Sequence, residues 1–396
     1  MIDLCLINPN NRTPAPFAAI EPPLWLGLIA GYEKAHGKKV AVLDAEAENL
    51  TIRQTVKTVK DLNPQKTLIV CMGNNPSVSS TPKWPVTERL LLYIDAEVTG
   101  LHPIAIHYPG VIREPFQGFP TVPWDGLHKN LYRAHNWHCL DDVDKRSPYA
   151  VLYTSLNCPY HCNYCNVHTL YGDHKVRYRP LEDVFKELDY FARQGIHNIK
   201  IWDECFTLNE QRVHRICDYI IDKGYQFNMW AYTRLGSVRP IMLSKLWMAG
   251  NRWLAVGFEN LNDRKVMGTL EAIQLIRECG LNIIANFMFG LPGESIDSMR
   301  ASLDFAIRHN FEWVNFQVAL PYPGSKWWDS LTVKHLEWSR FNQFSPTMYG
   351  NPEAIAFREH AFRTYFNRPE YLDMIAEKFG EKAKAHIQEM LKWEIK

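Results

Sequence analysis

Apolar segments of strand length recur along residues 149–330, with helical segments between them. These segments begin near Tyr149, Asn198, Phe227, Trp253, Ile283 and Trp313. The later ones start about 26 to 30 residues apart, which is the repeat of a β/α unit. Intervening segments such as Leu181–Gln194 and Arg212–Lys223 have helical spacing. Six successive units predict a barrel-like parallel sheet whose site lies at the carboxyl ends of its strands.

The chain after residue 330 is too short for two further units. About 66 residues remain, and two stretches of them, Ala354–Phe366 and Tyr371–Trp393, have helical patterns. We therefore predict a partial (β/α)6 barrel over residues 149–330 and a helical C-terminal region over 331–396.

Residues 1–107 show a separate alternation of strands and helices. Apolar runs at Ile2–Ile7, Lys39–Leu43 and Thr67–Cys71 enclose helical segments at Leu24–Ala35 and Thr51–Leu62. This βαβαβ order is typical of a Rossmann-like, flavodoxin-like α/β domain whose ligand binds beyond the carboxyl ends of the strands. Residues 108–148 contain five prolines with little periodicity, which predicts a linker.

Composition excludes several classes of protein. The 44 basic and 43 acidic residues give a net charge of +1, so we expect no general attraction to nucleic acid. No apolar run approaches the length of a membrane span, and the N-terminus has no signal-peptide pattern. We expect a cytoplasmic protein. Nine cysteines in such a chain favour metal or redox chemistry over disulfides.

Three of the cysteines follow the first barrel strand directly. Cys158, Cys162 and Cys165 have the spacing CxxxCxxC on a loop at the end where β/α barrels keep their sites. Three close thiolates can bind a soft metal ion or an iron–sulfur cluster. A structural zinc ion would need a fourth ligand, for which the nearby candidates are His161, His168 and Cys205. A four-iron four-sulfur cluster with one iron left open suits three cysteines better.

This loop at the head of six β/α units resembles that of the radical S-adenosylmethionine (SAM) enzymes. The resemblance implies that the three cysteines ligate three irons and that SAM chelates the fourth through its methionine group. Electron transfer then cleaves SAM and generates a 5′-deoxyadenosyl radical. Tyr164 would lie near the adenine.

The ends of later strands also resemble this family. Glu204 stands where an acidic residue accepts a hydrogen bond from the methionine amine, and Glu259 ends a Gly-x-Glu motif that contacts ribose or methionine. Asn286 begins a segment that resembles the glycine-rich turn near the adenine, which includes Gly290 and Pro292. Arg234, after the third strand, is a candidate partner of the cofactor carboxylate.

The first domain resembles that of the cobalamin-binding subgroup of these enzymes. The similarity lies in Glu21-Pro22-Pro23-Leu24 and in the polar loops after the strands. It implies that cobalamin contacts Asn8, Asn74, Ser77, Ser79 and Gly100. The region after Gly100 is shorter than in that subgroup, so the alternative prediction is a reduced domain that binds cobalamin weakly or not at all.

Three functional hypotheses follow. The first is cobalamin-dependent methyl transfer to an unactivated centre of a small-molecule or lipid-like substrate. The second is a non-methylating radical cyclase or oxidoreductase, with or without cobalamin. The third, from another class, is a non-catalytic zinc-binding scaffold. Either enzyme would need a reducing partner such as flavodoxin or ferredoxin.

Overall fold

The structure of the chain is a computed structural model. It describes residues 1–11, 17–72, 76–100, 121–259, 266–332 and 351–393, without the side chains of 76–82, 266 and 267.

The N-terminal part forms a four-stranded parallel sheet. Its elements are β1 (Leu4–Asn8), α1 (Leu24–Ala35), β2 (Val40–Asp44), α2 (Ile52–Leu62), β3 (Lys66–Val70), α3 (Pro76–Leu91) and β4 (Glu97–Thr99). The strand order is β2-β1-β3-β4, as in the flavodoxin-like arrangement predicted for this region. The three-residue β4 was not anticipated, because so short a strand leaves no apolar periodicity in the sequence.

Local signals account for the helices of this part. Thr51 caps α2 in a capping box, in which its side chain accepts from the Gln54 backbone N–H and the Gln54 side chain accepts from Thr51 N–H at 2.8 Å. Asn63 ends the same helix in the left-handed conformation (φ 42°). Helix α1 is almost wholly buried because it packs between the sheet and the rest of the chain.

The second part is a six-stranded parallel sheet surrounded by helices. Its elements are β5 (Tyr149–Leu152), α4 (Leu181–Arg193), β8 (Asn198–Ile201), α5 (Glu210–Asp222), β9 (Asn228–Thr233), α6 (Pro240–Met248), β10 (Asn251–Glu259), α7 (Val266–Glu278), β11 (Asn282–Phe289), α8 (Ile296–His309) and β12 (Trp313–Val318). A two-stranded ribbon, β6 (Ser155–Leu156) with β7 (Arg177–Tyr178), follows β5, and α9 (Lys326–Asp329) follows β12.

The strand order of this sheet is β12-β11-β10-β9-β8-β5, so neighbouring strands follow the chain and every pair is parallel. The predicted partial barrel is confirmed, with strand starts within two residues of the predicted ones. The carboxyl ends of all six strands meet at one rim.

Residues 17–21 pack beside β5 at the open side of this sheet. Ile20 forms an antiparallel bridge with Arg133, and Arg146 donates to the carbonyls of Phe17 (3.0 Å) and Ala18 (2.8 Å). Glu21 extends from this segment into the barrel interior, where it meets side chains of β5 and β8. The N-terminal part thus supplies a piece of the barrel wall.

The tail consists of α10 (Pro352–Phe366), α11 (Pro369–Phe379) and α12 (Glu381–Leu391). The stretch Tyr371–Trp393, predicted to be helical, falls in two helices, because Gly380 (φ 89°) divides it. The hydroxyls of Tyr365 and Tyr371 donate to the carbonyls of Phe311 (2.6 Å) and Glu312 (3.2 Å). These bonds hold the tail beside the start of β12.

Candidate active site

The cysteine loop begins at a residue with a fixed left-handed backbone. Asn157 (φ 74°) donates from its side-chain amide to the carbonyls of Asp173 (2.7 Å) and Lys175 (3.1 Å). Its amide oxygen accepts from the Cys158 backbone N–H at 2.8 Å. These bonds set the direction in which the loop leaves the strand end.

Cys158, Cys162 and Cys165 all line one cavity of about 730 Å³ inside the barrel rim. Burial raises the pKa of the Cys158 thiol to about 11. The guanidinium of Arg234 lies 3.7 Å from the Cys162 sulfur and 3.9 Å from the ring centre of Tyr160. Three thiols on one cavity wall beside a cation fit a group that needs several thiolate ligands.

The same thiols do not fit a single metal ion. Within the described ranges, no group of three or more Cys, His, Asp or Glu side chains is arranged to hold one ion. An iron–sulfur cluster places each thiolate on a different iron, so its ligands need not converge on one point. The geometry therefore gives no support to the zinc alternative.

Glu204 and Asp203 are adjacent in sequence but have different surroundings. Asp203 is buried and accepts from the Thr154 backbone N–H (2.6 Å), the Thr154 hydroxyl (2.6 Å) and the Ser155 hydroxyl (2.5 Å). These hydrogen bonds connect the segments that follow β5 and β8. Glu204 instead lines the cavity with the cysteines. The position predicted to contact SAM is the one that faces open space.

Most of the other predicted SAM residues lie around the same cavity. Tyr164, Arg234, Glu259 and Asn286 line it, although Asn286 also accepts from Asn315 at 2.9 Å. Burial raises the pKa of the Tyr164 hydroxyl, and the nearby Glu259 carboxylate raises it further. Residues in or next to β9, β10 and β11 therefore line the same cavity as the three cysteines.

Gly290 and Pro292 are outside the described lining of this cavity. Gly290 has φ 82°, and an added Cβ would lie 2.9 Å from the Ala354 side chain. Its backbone N–H donates to the Glu294 carboxylate at 2.6 Å. The structure therefore gives this glycine a packing role against α10, and its contact with SAM stays a prediction.

Sequence reasoning missed a buried ion pair that lines the same cavity. Lys200 on β8 donates to both oxygens of Glu21 at 3.1 and 3.2 Å, and both side chains are nearly inaccessible to solvent. The Lys200 ammonium lies over Trp202, Trp230 and Tyr232, 4.7 to 5.7 Å from their ring centres. The lysine within an apolar strand was a signal in the sequence that a buried partner exists. The sequence did not identify that partner, because Glu21 is 179 residues away.

Two of the predicted cobalamin residues, Asn8 and Gly100, lie elsewhere, at the carboxyl edge of the first sheet. The amide of Asn8 donates to Asp44 (2.7 Å), and its oxygen accepts from Lys83 (2.9 Å), which also pairs with Glu46 at 2.7 Å. Gly100 packs so that a Cβ would lie 3.0 Å from the Cys71 carbonyl. Asn74 and the side chains of Ser77 and Ser79 lie outside the described residues.

Glu204 provides a pH-dependent test of this site. Burial, opposed by Lys200 and reinforced by Asp203, raises its pKa to about 7. The folded apoprotein therefore holds a proton that the unfolded chain releases above about pH 4.5. As the pH rises from 4.5 to 7, this group is expected to remove on the order of 3 kcal/mol of stability.

Glu204→Gln is expected to abolish that loss. Urea unfolding of both apoproteins at pH 5 and pH 7.5 should show the variant gaining stability relative to wild type as the pH rises. A constant difference between the two proteins would contradict the assignment.

Comparison with known proteins places the cysteine loop in a family. Residues 152–306 match the model of the radical SAM superfamily. The chain carries a radical SAM domain. This domain implies a four-iron four-sulfur cluster and SAM, so the predictions of an enzyme and of these two cofactors are confirmed.

Sequence similarity to known proteins extends beyond that domain. An uncharacterized methyltransferase of Pyrococcus horikoshii is 23% identical over 89% of this chain and 89% of its own length. An anaerobic magnesium-protoporphyrin IX monomethyl ester cyclase of Rubrivivax gelatinosus is 22% identical over 88% of this chain and 73% of its own. Both matches include the N-terminal part, because either one covers more than the barrel and tail together.

A solved structure has the same overall fold. The radical SAM methyltransferase TsrM of Kitasatospora setae, solved with cobalamin and a [4Fe-4S] cluster, superposes with a TM-score of 0.61 at 17% identity. The superposition covers 82% of this chain and 74% of TsrM. Among the described helices of our chain, none has the length and apolar character needed to cross a membrane.

Proposed function

We propose that this radical SAM enzyme transfers a methyl group, with cobalamin as carrier, to an unactivated centre of a small-molecule or lipid-like substrate. The observation that carries the proposal is the shared cavity. The three cysteines and five of the seven predicted SAM residues line it together with many apolar side chains. A substrate in that cavity would lie beside the cofactor, as radical chemistry requires.

In this proposal the cysteine end holds the cofactors. Cys158, Cys162 and Cys165 bind the cluster, which when loaded supplies the electron that cleaves SAM. Glu204 accepts a hydrogen bond from the methionine amine in its ionised form, which Lys200 favours but does not fully restore, since burial raises the pKa of Glu204 to about 7. Arg234 balances thiolate charge and pairs with the methionine carboxylate.

The proposed cobalamin site is the carboxyl edge of the first sheet. Support comes from the flavodoxin-like strand order and from the fold shared with TsrM, whose structure contains cobalamin. At this edge, the side chains of Asn8, Asp44, Glu46 and Lys83 form a polar network. In the described chain Asn8 hydrogen-bonds within this network and Gly100 packs against Cys71, and their contacts with cobalamin stay predictions.

A non-methylating radical reaction is the second candidate, and the cyclase relative favours it. The two reactions differ in their products from SAM. Methyl transfer consumes one SAM to 5′-deoxyadenosine and another to S-adenosylhomocysteine, whereas a cyclase would form only the first of these.

The experiment is anaerobic reconstitution with iron, sulfide and hydroxocobalamin, followed by dithionite and SAM. We expect a cluster absorbance, retained corrin and both products in chromatography. A cluster with 5′-deoxyadenosine but no S-adenosylhomocysteine would contradict methyl transfer. Repeating the assay with flavodoxin or ferredoxin in place of dithionite tests the proposed class of reducing partner.

A further inference from the structure

The register between β11 and β12 orders the side chains that these strands contribute to the cavity. On β11 the lining residues are alternate ones, so their side chains lie on one face of the sheet. Each has a partner directly opposite on β12 that also lines the cavity, and the pairs are Ile284–Trp313, Asn286–Asn315 and Met288–Gln317. Both strands run toward the rim, so Met288 and Gln317 form the pair nearest to it.

The two asparagines on this face are already hydrogen-bonded to groups of the protein. Asn315 accepts from the Trp313 indole N–H at 3.0 Å and donates to the Asn286 side-chain oxygen at 2.9 Å. Asn286 in turn donates to the Val256 carbonyl at 3.4 Å. These bonds fix the orientation of both amide groups, because each amide is used as donor and as acceptor.

Gln317 is the next carboxamide on this face, and it lacks such bonds. Among the residues that the structure describes, none shares a hydrogen bond with the Gln317 side chain. Its neighbour across the strands is the thioether of Met288, which is only a weak acceptor. Neither amide atom of Gln317 is fully buried, so the group is accessible from the cavity that it lines. A carboxamide offers a donor and an acceptor there without adding charge.

The lining next to Gln317 along the chain is apolar. Phe316 precedes it, Val318 follows it and Leu320 comes two residues later, and all three line the cavity because β12 is an edge strand. When a ligand displaces water from such surroundings, an amide left without hydrogen bonds costs free energy. A ligand that accepts from the Gln317 N–H and donates to its oxygen removes that cost.

We propose that Gln317 binds the substrate through an uncharged group that presents a hydrogen-bond donor beside an acceptor, such as an amide or a lactam. This rests on the proposed function, since it names the recognition group on the substrate of that reaction. The residues predicted to hold SAM lie in the cysteine loop and in or after β8 to β11, whereas Gln317 lies on the edge strand β12. The substrate is therefore the ligand assigned to it.

The test is anaerobic equilibrium dialysis of the reconstituted protein with SAM present and no reductant. One probe is 2-quinolinone, whose lactam presents an N–H beside a carbonyl. The other is 2-methoxyquinoline, which has the same rings and no N–H. Wild type is expected to bind the lactam about 10-fold more tightly, the scale of one further hydrogen bond in an apolar site.

Variants assign this preference to Gln317. Gln317→Met keeps the approximate length of the side chain but removes the amide, so it is expected to bind the two probes equally. Gln274→Met makes the same exchange on the exposed side of α7 and should keep the wild-type preference. Both variants should bind SAM as wild type does. Thermal melting of each variant confirms folding.

The wild-type comparison needs no variant: protein that binds the lactam no better than the ether, or binds neither probe, overturns the proposal. The wild-type preference in folded Gln317→Met would also overturn it. So would a Gln317→Met protein that loses affinity for SAM but keeps the preference, since the carboxamide would then serve the cofactor. These measurements need no turnover, so they are distinct from a failure to form 5′-deoxyadenosine or S-adenosylhomocysteine, which would overturn the proposed function instead.

Discussion

Replacing any one of Cys158, Cys162 and Cys165 by alanine is expected to abolish the cluster and the cleavage of SAM. The three thiols line one cavity wall, and each is expected to bind a different iron, so that removing one leaves an iron without its protein ligand. Formation of 5′-deoxyadenosine should fall by at least about 10³-fold, as when a member of a catalytic unit is removed. Iron content and the charge-transfer absorbance of the reconstituted protein should fall with it.

Two cysteines outside the loop serve as controls. Cys279→Ala changes a partly exposed cysteine near Ser244 on the outer helices, and Cys205→Ala changes the residue considered as a fourth zinc ligand. Both are expected to keep iron, sulfide and SAM cleavage. Normal cleavage in any of the three loop variants, or zinc in the as-purified protein in place of iron, would contradict the cluster assignment.

Lys200→Met is expected to destabilise the apoprotein by about 3–5 kcal/mol, because it leaves the Glu21 carboxylate buried without its counter-ion. Methionine has nearly the length of lysine, so the main loss is charge. Replacing both partners, as in Glu21→Leu with Lys200→Met, should return most of the stability, since the desolvation cost of both charges disappears. The urea midpoints of the three variants and wild type measure this.

The pH dependence separates a charge effect from a packing effect. Burial acts to raise the pKa of Glu21, but Lys200 and His135 hold it at about 2. In wild type this carboxylate stabilises the fold above about pH 4.5, and that contribution is lost as the pH falls toward 2. Without Lys200 its pKa rises, so the variant should lose stability as the pH increases.

Lys57→Met is the control for Lys200→Met, because the Lys57–Asp61 pair is exposed on α2. Its expected cost is below about 1 kcal/mol. An equally small cost at Lys200, or a double variant no better than the single one, would show that the buried pair contributes little.

Much of the fold could be predicted from the pattern of apolar residues along the chain. The strands of a parallel sheet buried on both faces are continuous apolar runs, so β5, β8, β9, β10, β11 and β12 could be located without any tertiary information. The cysteine ligands were also visible, because all three lie within eight residues on one loop. Helix α1 was predicted with its observed bounds.

Features that depend on one backbone angle or on very short elements were harder to predict. Gly380 divides the tail through a positive φ that a helical apolar pattern does not reveal. β4 has only three residues. Neighbours in sequence were also hard to distinguish, since Asp203 and Glu204 have the same chemistry and only their contacts show that the first ties strand ends together.

The sequence by itself determined the β/α order, the position of the cysteine loop and the family of the barrel, because these depend on short spacings along the chain. Only the tertiary structure decided what lines the rest of the cavity. Glu21 precedes α1, Lys200 lies in β8 and Arg358 lies in α10, yet all three face one space. Contacts between residues so far apart in sequence leave no periodic signal, because they are set by how the N-terminal segment and the tail pack against the open side of the sheet.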